Sequence, residues 1–172
     1  MKIEKPRSTA RITVRNFQKA DLPFLTAMWF DEDNGKYLSD PTRDSVDRVY
    51  QTALEQLEDS PNGYYLTVVL NDPETIVGSC FLFPDDHQKS FEIAYCIHKN
   101  YWGRGLGKEL LSLAVNWVRD QGGAAITAEA AKENLASHQL LIKNGFQVVG
   151  EASFQKYNTE ISYESYLYRL PL

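Results

Sequence analysis

The residues best suited to chemistry lie in one stretch, Tyr101-Trp102-Gly103-Arg104-Gly105-Leu106-Gly107-Lys108-Glu109-Leu110-Leu111. Three glycines at alternate positions follow an apolar run, Phe91 to Ile97, and precede an amphipathic segment. That order predicts a strand, a tight turn and a helix N-terminus. Glycine accepts positive φ and leaves bare amides open to a ligand. The unpaired N–H groups and the dipole of a helix start favour an anion such as a pyrophosphate. The chemistry implied is phosphate binding, with no side chain arranged to hold a metal.

Spacing narrows the ligand. A Walker A loop needs Gly, four residues, then Gly-Lys-Ser/Thr. Counting back from Gly107-Lys108 puts Trp102 at the first glycine, and Glu109 stands where the Mg²⁺-binding hydroxyl belongs. The dinucleotide pattern G-x-G-x-x-G fails as well, because Gly103 and Gly105 lead to Lys108, and Gly105 and Gly107 lead to Leu110. Downstream lies a second candidate segment, Asn134-Leu135-Ala136-Ser137-His138-Gln139-Leu140-Leu141-Ile142-Lys143-Asn144-Gly145-Phe146. Asn134 suits an N-cap, Ser137 falls in the first turn, and Gly145 suits the C′ position of a capped helix.

Taken together, in this order and at this separation, the two segments resemble the GNAT superfamily of N-acetyltransferases. The first resembles its acyl-CoA pyrophosphate loop, with Trp102 where the family usually has Gln or Arg. The second resembles its Asn-x-x-Ser/Ala segment ending in Gly-Phe. The Tyr-Trp-Gly-basic-Gly variant is similar to the branch of ribosomal-protein N-terminal acetyltransferases. The resemblance covers residues 11 to 170 approximately.

The resemblance implies a transferase that moves an acetyl group from acetyl-CoA to a primary amine by direct transfer in a ternary complex. Gly103, Arg104, Gly105, Leu106, Gly107 and Lys108 would hold the pyrophosphate together with Trp102. Backbone groups of Cys96, Ile97 and His98 would pair with pantetheine, and an amide near Ile97 would polarise the thioester carbonyl. Asn134 and Ser137 would contact the arm, and Lys143 would reach the phosphoadenosine end. The acceptor, a small-molecule amine or a protein N-terminus, would be bound by residues from the first two helices and the last strands, namely Trp29, Phe30, Asp31 and Tyr163. Aromatic walls with nearby carboxylates suit a cationic amine.

Acetyl transfer to an amine poses two proton problems. The ammonium, with a pKa of about 10, must lose a proton before it attacks, and the departing thiolate leaves more easily when protonated. A general base and acid are each worth roughly 10²–10⁴-fold. Glu92, on the strand leading to the glycine loop, is the candidate base, acting through a water, with Glu129 in reserve. The family's usual acid, a Tyr four residues before Gly-Phe, is replaced by Leu141, which leaves Ser137 as the candidate acid. Leu141 also motivates the alternative of a non-catalytic acyl-CoA-binding module. An unrelated nucleotide-binding protein is disfavoured by the failed spacings.

The elements that must position these residues are read from periodicity. Arg11–Arg15 alternates as a strand, and Asp21–Phe30 has helical spacing. Ser45 is expected to cap a helix carrying Val46, Val49, Tyr50, Ala53, Leu54 and Leu57 on one face. Strands are expected over Tyr64–Leu70, Ile76–Phe83 and Phe91–Ile97. The helix after the glycine loop should bury Leu106, Leu110, Leu111, Ala114, Trp117 and Val118 and end at Gly122-Gly123. A buried parallel strand, Ala124–Ala128, follows, and after the Asn134 helix two closing strands, Phe146–Val149 and Ile161–Leu170. The expected fold is a single α/β (α+β) domain over residues 1–172, with a mixed, mostly antiparallel sheet, one central splayed parallel pair and flanking helices.

Composition sets outer bounds. The 172 residues, 43% hydrophobic and 24% charged, suit one globular domain. A net charge of −5 argues against a general nucleic-acid binder and favours cationic partners, sharpened by Asp31-Glu32-Asp33 and Asp40. Cys80 and Cys96 lie in apolar runs and read as buried thiols, while His87, His98 and His138 have no metal-ligand spacing with them. Two free thiols, no apolar run of signal-peptide length and no stretch of membrane-spanning length give a cytoplasmic expectation. Homodimers are frequent in the resembling family and are allowed here.

Overall fold

The computed structural model describes residues 1–172. Eight strands form one sheet in the order β1-β2-β3-β4-β5-β6-β8-β7. They are β1 (Arg7–Ser8), β2 (Ile12–Asn16), β3 (Tyr64–Asn71), β4 (Glu74–Pro84), β5 (Ser90–Ile97), β6 (Ala125–Ala131), β7 (Gln147–Gln155) and β8 (Ser162–Pro171). The helices are α1 (Leu22–Trp29), α2 (Arg48–Glu55), α3 (Leu106–Asp120) and α4 (Leu135–Lys143). All neighbouring strands are antiparallel except β5 and β6. No helix is long and apolar enough to cross a membrane.

The parallel pair shapes the molecule. β5 and β6 are in register only through Ser90↔Ala125, Phe91↔Ile126 and Glu92↔Thr127. Beyond these residues β5 stays with β4 as far as Ile97↔Gly78, and β6 stays with β8 as far as Ala131↔Ser165. The two strands therefore part into a wedge whose inner edges lack a strand partner, the feature implied by the resemblance.

Two cores hold the wedge open. On one face α3 buries Leu106, Leu110, Leu111, Ala114, Trp117 and Val118, the six residues its spacing selects, against Phe91, Ile93 and Ile126. Each fully buried large side chain contributes about 1.5–3 kcal/mol. On the other face Leu25, Met28 and Trp29 of α1 pack with Phe17 and Cys96. Strand alternation accounts for the split: Phe91 and Ile93 point to α3, whereas Cys96 points to α1.

Three expectations change. Ser45 ends a short helical turn, and the N-cap of α2 is Asp47, whose carboxylate accepts from the Tyr50 amide. The helix is also shorter than expected, leaving Val46 and Leu57 outside it; Leu54 and Leu57 pack half-buried against the α1 core, whereas Val49 is 71% exposed. β7 runs six residues beyond Val149, to Gln155, through a bulge between Val148 and Gly150 that interrupts the alternation before Ala152 and Phe154 resume it.

Candidate active site

The glycine loop ends in Gly105, which caps α3 at φ 79° and ψ 6°, a left-handed conformation that costs other residues about 1–2 kcal/mol. A Cβ on Gly107 would lie 2.8 Å from Leu140 Cδ2, so this glycine sets the close approach of α3 to α4. No side chain caps the helix. From Gly103 to Lys108, six consecutive backbone N–H groups have no acceptor in the protein. Glu109 is turned away from them: its carboxylate accepts from Thr9 Oγ1 at 2.6 Å and from Arg11 Nε at 2.7 Å. Burial works to raise its pKa, but the Thr9 and Arg11 hydrogen bonds outweigh it and hold the group low. The Arg104 guanidinium lies over the Tyr101 ring at 5.1 Å and does not line the cleft.

The loop is one end of a cleft of about 570 Å³ that fills the wedge and is walled by Tyr95–Ile97, the glycine loop and the first turns of α4. The His98 amide donates to Val77 O at 2.8 Å, so it belongs to the β4 ladder. Antiparallel alternation then assigns Cys96 to β4 as well and turns the backbone of Tyr95 and Ile97 toward the wedge. Of the three predicted pantetheine partners, Ile97 alone faces the wedge with its backbone. Even there the carbonyl is spent, accepting from Trp102 Nε1 at 2.6 Å and Asn34 Nδ2 at 2.9 Å. Its amide is the polar backbone group it leaves open to the cleft. Trp102, 54% exposed, has both N–H groups engaged, since its amide donates to Lys99 O. It lines the cleft as an apolar wall rather than as a phosphate donor.

On the opposite wall Asn134 accepts the Ser137 amide at 3.2 Å, closing the first turn of α4. Its side-chain NH₂ remains to donate. Ser137 Oγ lies 3.0 Å from the Tyr95 hydroxyl, a neighbour sequence reasoning missed. The strand face Phe91-Ile93-Tyr95-Ile97 held that signal, since Tyr95 is its single hydroxyl. Leu141 is fully buried in the core and does not face the cleft. Lys143, in the last turn of α4, is exposed and outside the cleft walls, so it is not brought to the other cofactor candidates.

The four acceptor candidates, Trp29, Phe30, Asp31 and Tyr163, converge on a second cavity of about 660 Å³. Asp33 lines both cavities and marks their junction. Trp29 is mainly core, donating from Nε1 to Ser79 Oγ at 3.0 Å, whereas Tyr163 stacks edge-on with Tyr37. The cavity is not uniformly acidic. Asp31, Glu32, Asp33 and Asp44 are interleaved with Lys36, Arg43, Lys99 and Lys156. Lys99 Nζ bonds Asp31 at 2.8 Å and Asp33 at 2.9 Å. The Lys99 hydrogen bond, with those from the Asn34 and Asp33 amides, holds Asp31 down at about 2.

Asn34, also missed, ties the two cavities together: Nδ2 donates to Ile97 O and Oδ1 accepts the Lys99 amide at 2.9 Å. Only the folded chain brings it to β5, so no local pattern announces it. Buried Lys156 donates to Gly35 O and Leu38 O, both at 2.7 Å, pinning the loop that carries Asp31 to Asn34.

Glu92 and Glu129 line neither cavity. By alternation and by the Glu92↔Thr127 register they share one sheet face, the face that carries Cys96. Burial, and then the charge of Glu129, raises the Glu92 pKa. Glu129 itself accepts from the buried Ser165 hydroxyl. Burial pushes the Cys80 and Cys96 thiols up to about 12, leaving neither as a thiolate near neutral pH.

The mixed sheet with its splayed parallel pair defines an α/β architecture. The model of the acetyltransferase (GNAT) domain matches residues 11–147, and the chain belongs to that family. An uncharacterized N-acetyltransferase p20 of Bacillus licheniformis is 26% identical over 155 residues, spanning 83% of this chain and 82% of that protein. The crystal structure of spermidine N-acetyltransferase from Vibrio cholerae, in complex with CoA and spermine, superposes with a TM-score of 0.79 at 16% identity, over 95% of this chain and 96% of that one. Ribosomal-protein-S5-alanine acetyltransferase from Vibrio fischeri gives a TM-score of 0.75 at 17% identity, over 98% and 97%. At these identities the two structures share the fold.

Proposed function

We propose that the protein is an N-acetyltransferase that moves the acetyl group of acetyl-CoA directly to a primary amine. One observation carries the reading: six free amides at a glycine-capped helix start open into a wedge that also offers the Ile97 amide. Aligned N–H groups at a helix start suit a pyrophosphate, and an unpaired strand edge suits the amides of pantetheine. The apolar walls, among them Trp102, Leu106 and Leu140, suit its methylenes.

In the reaction the amine lone pair attacks the thioester carbonyl. The C–N bond forms, the C–S bond breaks, and the amine proton must leave. The Ile97 amide would stabilise the carbonyl oxygen as charge builds on it. Glu92, held above the usual carboxylate range, would take the proton through water on the acceptor face. Ser137 would face the leaving sulfur. Both cysteines are protonated and buried, which supports direct transfer over an acyl-enzyme.

The acceptor enters from the cavity of Phe30, Asp31 and Tyr163, with a small-molecule amine and a protein N-terminus as its two classes. The two structures named above, one solved with spermine and one a ribosomal-protein-S5-alanine acetyltransferase, span those classes. Leu141, an apolar residue where the family's usual acid stands, favours as a second reading a module that binds acyl-CoA without turnover. Thermal shift with acetyl-CoA, CoA and ATP tests the donor. Stabilisation by both CoA species and not by ATP is expected, and stabilisation by ATP alone would overturn the assignment.

A further inference from the structure

Arg11 belongs to neither segment that marks the donor cleft, yet it grips the glycine loop from behind. Its Nη1 donates to Arg104 O at 2.9 Å, and its Nε donates to Glu109 Oε1 at 2.7 Å. Nη2 donates to the same carboxylate oxygen. No backbone N–H reaches Arg104 O, so Arg11 is its single partner in the protein. Neither Arg11 nor Arg104 lines the cleft, whereas Gly105 does. The Arg104–Gly105 peptide is trans, so its carbonyl and its N–H point in opposite directions. A carbonyl drawn back to Arg11 therefore turns the Gly105 N–H forward, into the cleft.

The same guanidinium answers an electrostatic problem. Glu109 stands in the first turn of α3, where its charge would repel an anion bound at the helix start. Arg11 pairs with it, and Thr9 Oγ1 donates to its other oxygen at 2.6 Å. Thr9 Oγ1 in turn accepts the Arg11 and Ile12 amides, both at 3.1 Å, which fixes the turn between β1 and β2. Resting on the reading of the cleft as an acyl-CoA site, we infer that Arg11 is a positioning residue for the donor. It aims the Gly105 amide at the pyrophosphate and cancels the Glu109 charge behind it. The β1–β2 hairpin thereby forms the back of the pyrophosphate cradle. Its influence ends there, since the pantetheine arm lies along Ile97 and the first turns of α4, beyond the reach of Arg11.

The test is titration calorimetry of wild type and Arg11→Gln with CoA and with pantetheine, which lacks the pyrophosphate. The Kd for CoA should rise about tenfold in the variant, while that for pantetheine stays within about twofold. Unchanged CoA affinity, or an equal loss for both ligands, would overturn the inference. The loss should persist in a Glu109→Gln background, because the Arg104 carbonyl still loses its partner. A loss that vanishes there would leave Arg11 only the charge to cancel and overturn its aiming role. Arg7→Gln is the structural control. Arg7 ties the same hairpin to the far end of α3 through Asp120 at 2.8 Å, so this variant loosens the hairpin without touching the loop. Its CoA affinity should stay within about twofold of wild type, and a loss as large as that of Arg11→Gln would show that hairpin stability alone is at work. Should Arg11→Gln not fold, Arg11→Lys takes its place, since an ammonium lacks the fork that spans Arg104 O and Glu109. Wild-type CoA affinity in that variant would overturn the inference equally. Wild-type protein that binds neither CoA nor pantetheine would defeat the donor reading itself, and this inference with it.

Discussion

The two cavities of this molecule are built on opposite plans. The cleft proposed for the donor is made of backbone: free amides at a glycine turn, a strand edge stripped of its partner, and apolar walls. The cavity proposed for the acceptor is made of side chains from separate segments, carboxylates and cations interleaved and joined by Lys99 and Lys156. A backbone site binds what all its users share, whereas a side-chain site can be rewritten without disturbing the sheet. One donor and many acceptors is the division of labour such a plan permits.

The largest effect should come from breaking the backbone plan. Gly105→Val forces a β-branched residue to φ 79° at the start of α3 and turns the free amides out of line. Acetyl-CoA affinity should fall about 100-fold or more, roughly 2.7 kcal/mol by titration calorimetry, while amine contacts are untouched. A variant that binds acetyl-CoA normally would show that the amides are not the anchor.

Next in size is the proposed proton acceptor, Glu92, on the sheet face that carries Cys96. Glu92→Gln should lower kcat/KM by roughly 10²-fold and remove the acidic limb of its pH profile. Because burial and then Glu129 raise the Glu92 pKa, that limb should lie above the ordinary carboxylate range. Activity is lost as pH falls through it. Glu129→Gln removes the like charge and should move the limb to lower pH. An unchanged profile in Glu92→Gln would take this residue out of the reaction.

The side-chain plan gives the smallest change. Asp31→Asn breaks one arm of the Lys99 pairing, frees positive charge in the acceptor cavity and should raise the amine KM about three- to tenfold. The acetyl-CoA KM should stay put, and the effect should shrink at high salt. Equal changes in both constants would erase the distinction between the cavities.

The same contrast explains what could be read from the chain. The glycine loop, the Asn134 cap and the six buried residues of α3 are local patterns, so spacing alone located them. The resemblance then supplied the wedge that β5 and β6 form. What escaped depends on chain crossings. Asn34 acts only because the loop after α1 reaches β5, and Lys99 pairs with Asp31 across the same gap. Tyr95 meets Ser137 only when α4 returns over the wedge. Cys96 and His98 were assigned to the wedge by position, but alternation turns their backbone to β4, a parity that strand boundaries must fix to the residue. The edge strand β7 reads as ending at Val149 because a bulge between Val148 and Gly150 breaks the alternation that Ala152 and Phe154 then resume.

The central claim is that the wedge delivers its acetyl group straight to an amine in the neighbouring cavity. Thiol release from acetyl-CoA across a panel of polyamines, amino acids, amino sugars and peptide N-termini tests it most directly. We predict thiol release that depends on at least one amine, matched one for one by acetylated amine, with no acetyl group left on the protein. Tight acetyl-CoA binding with no release for any amine, or acetyl retained on Cys96, would contradict it.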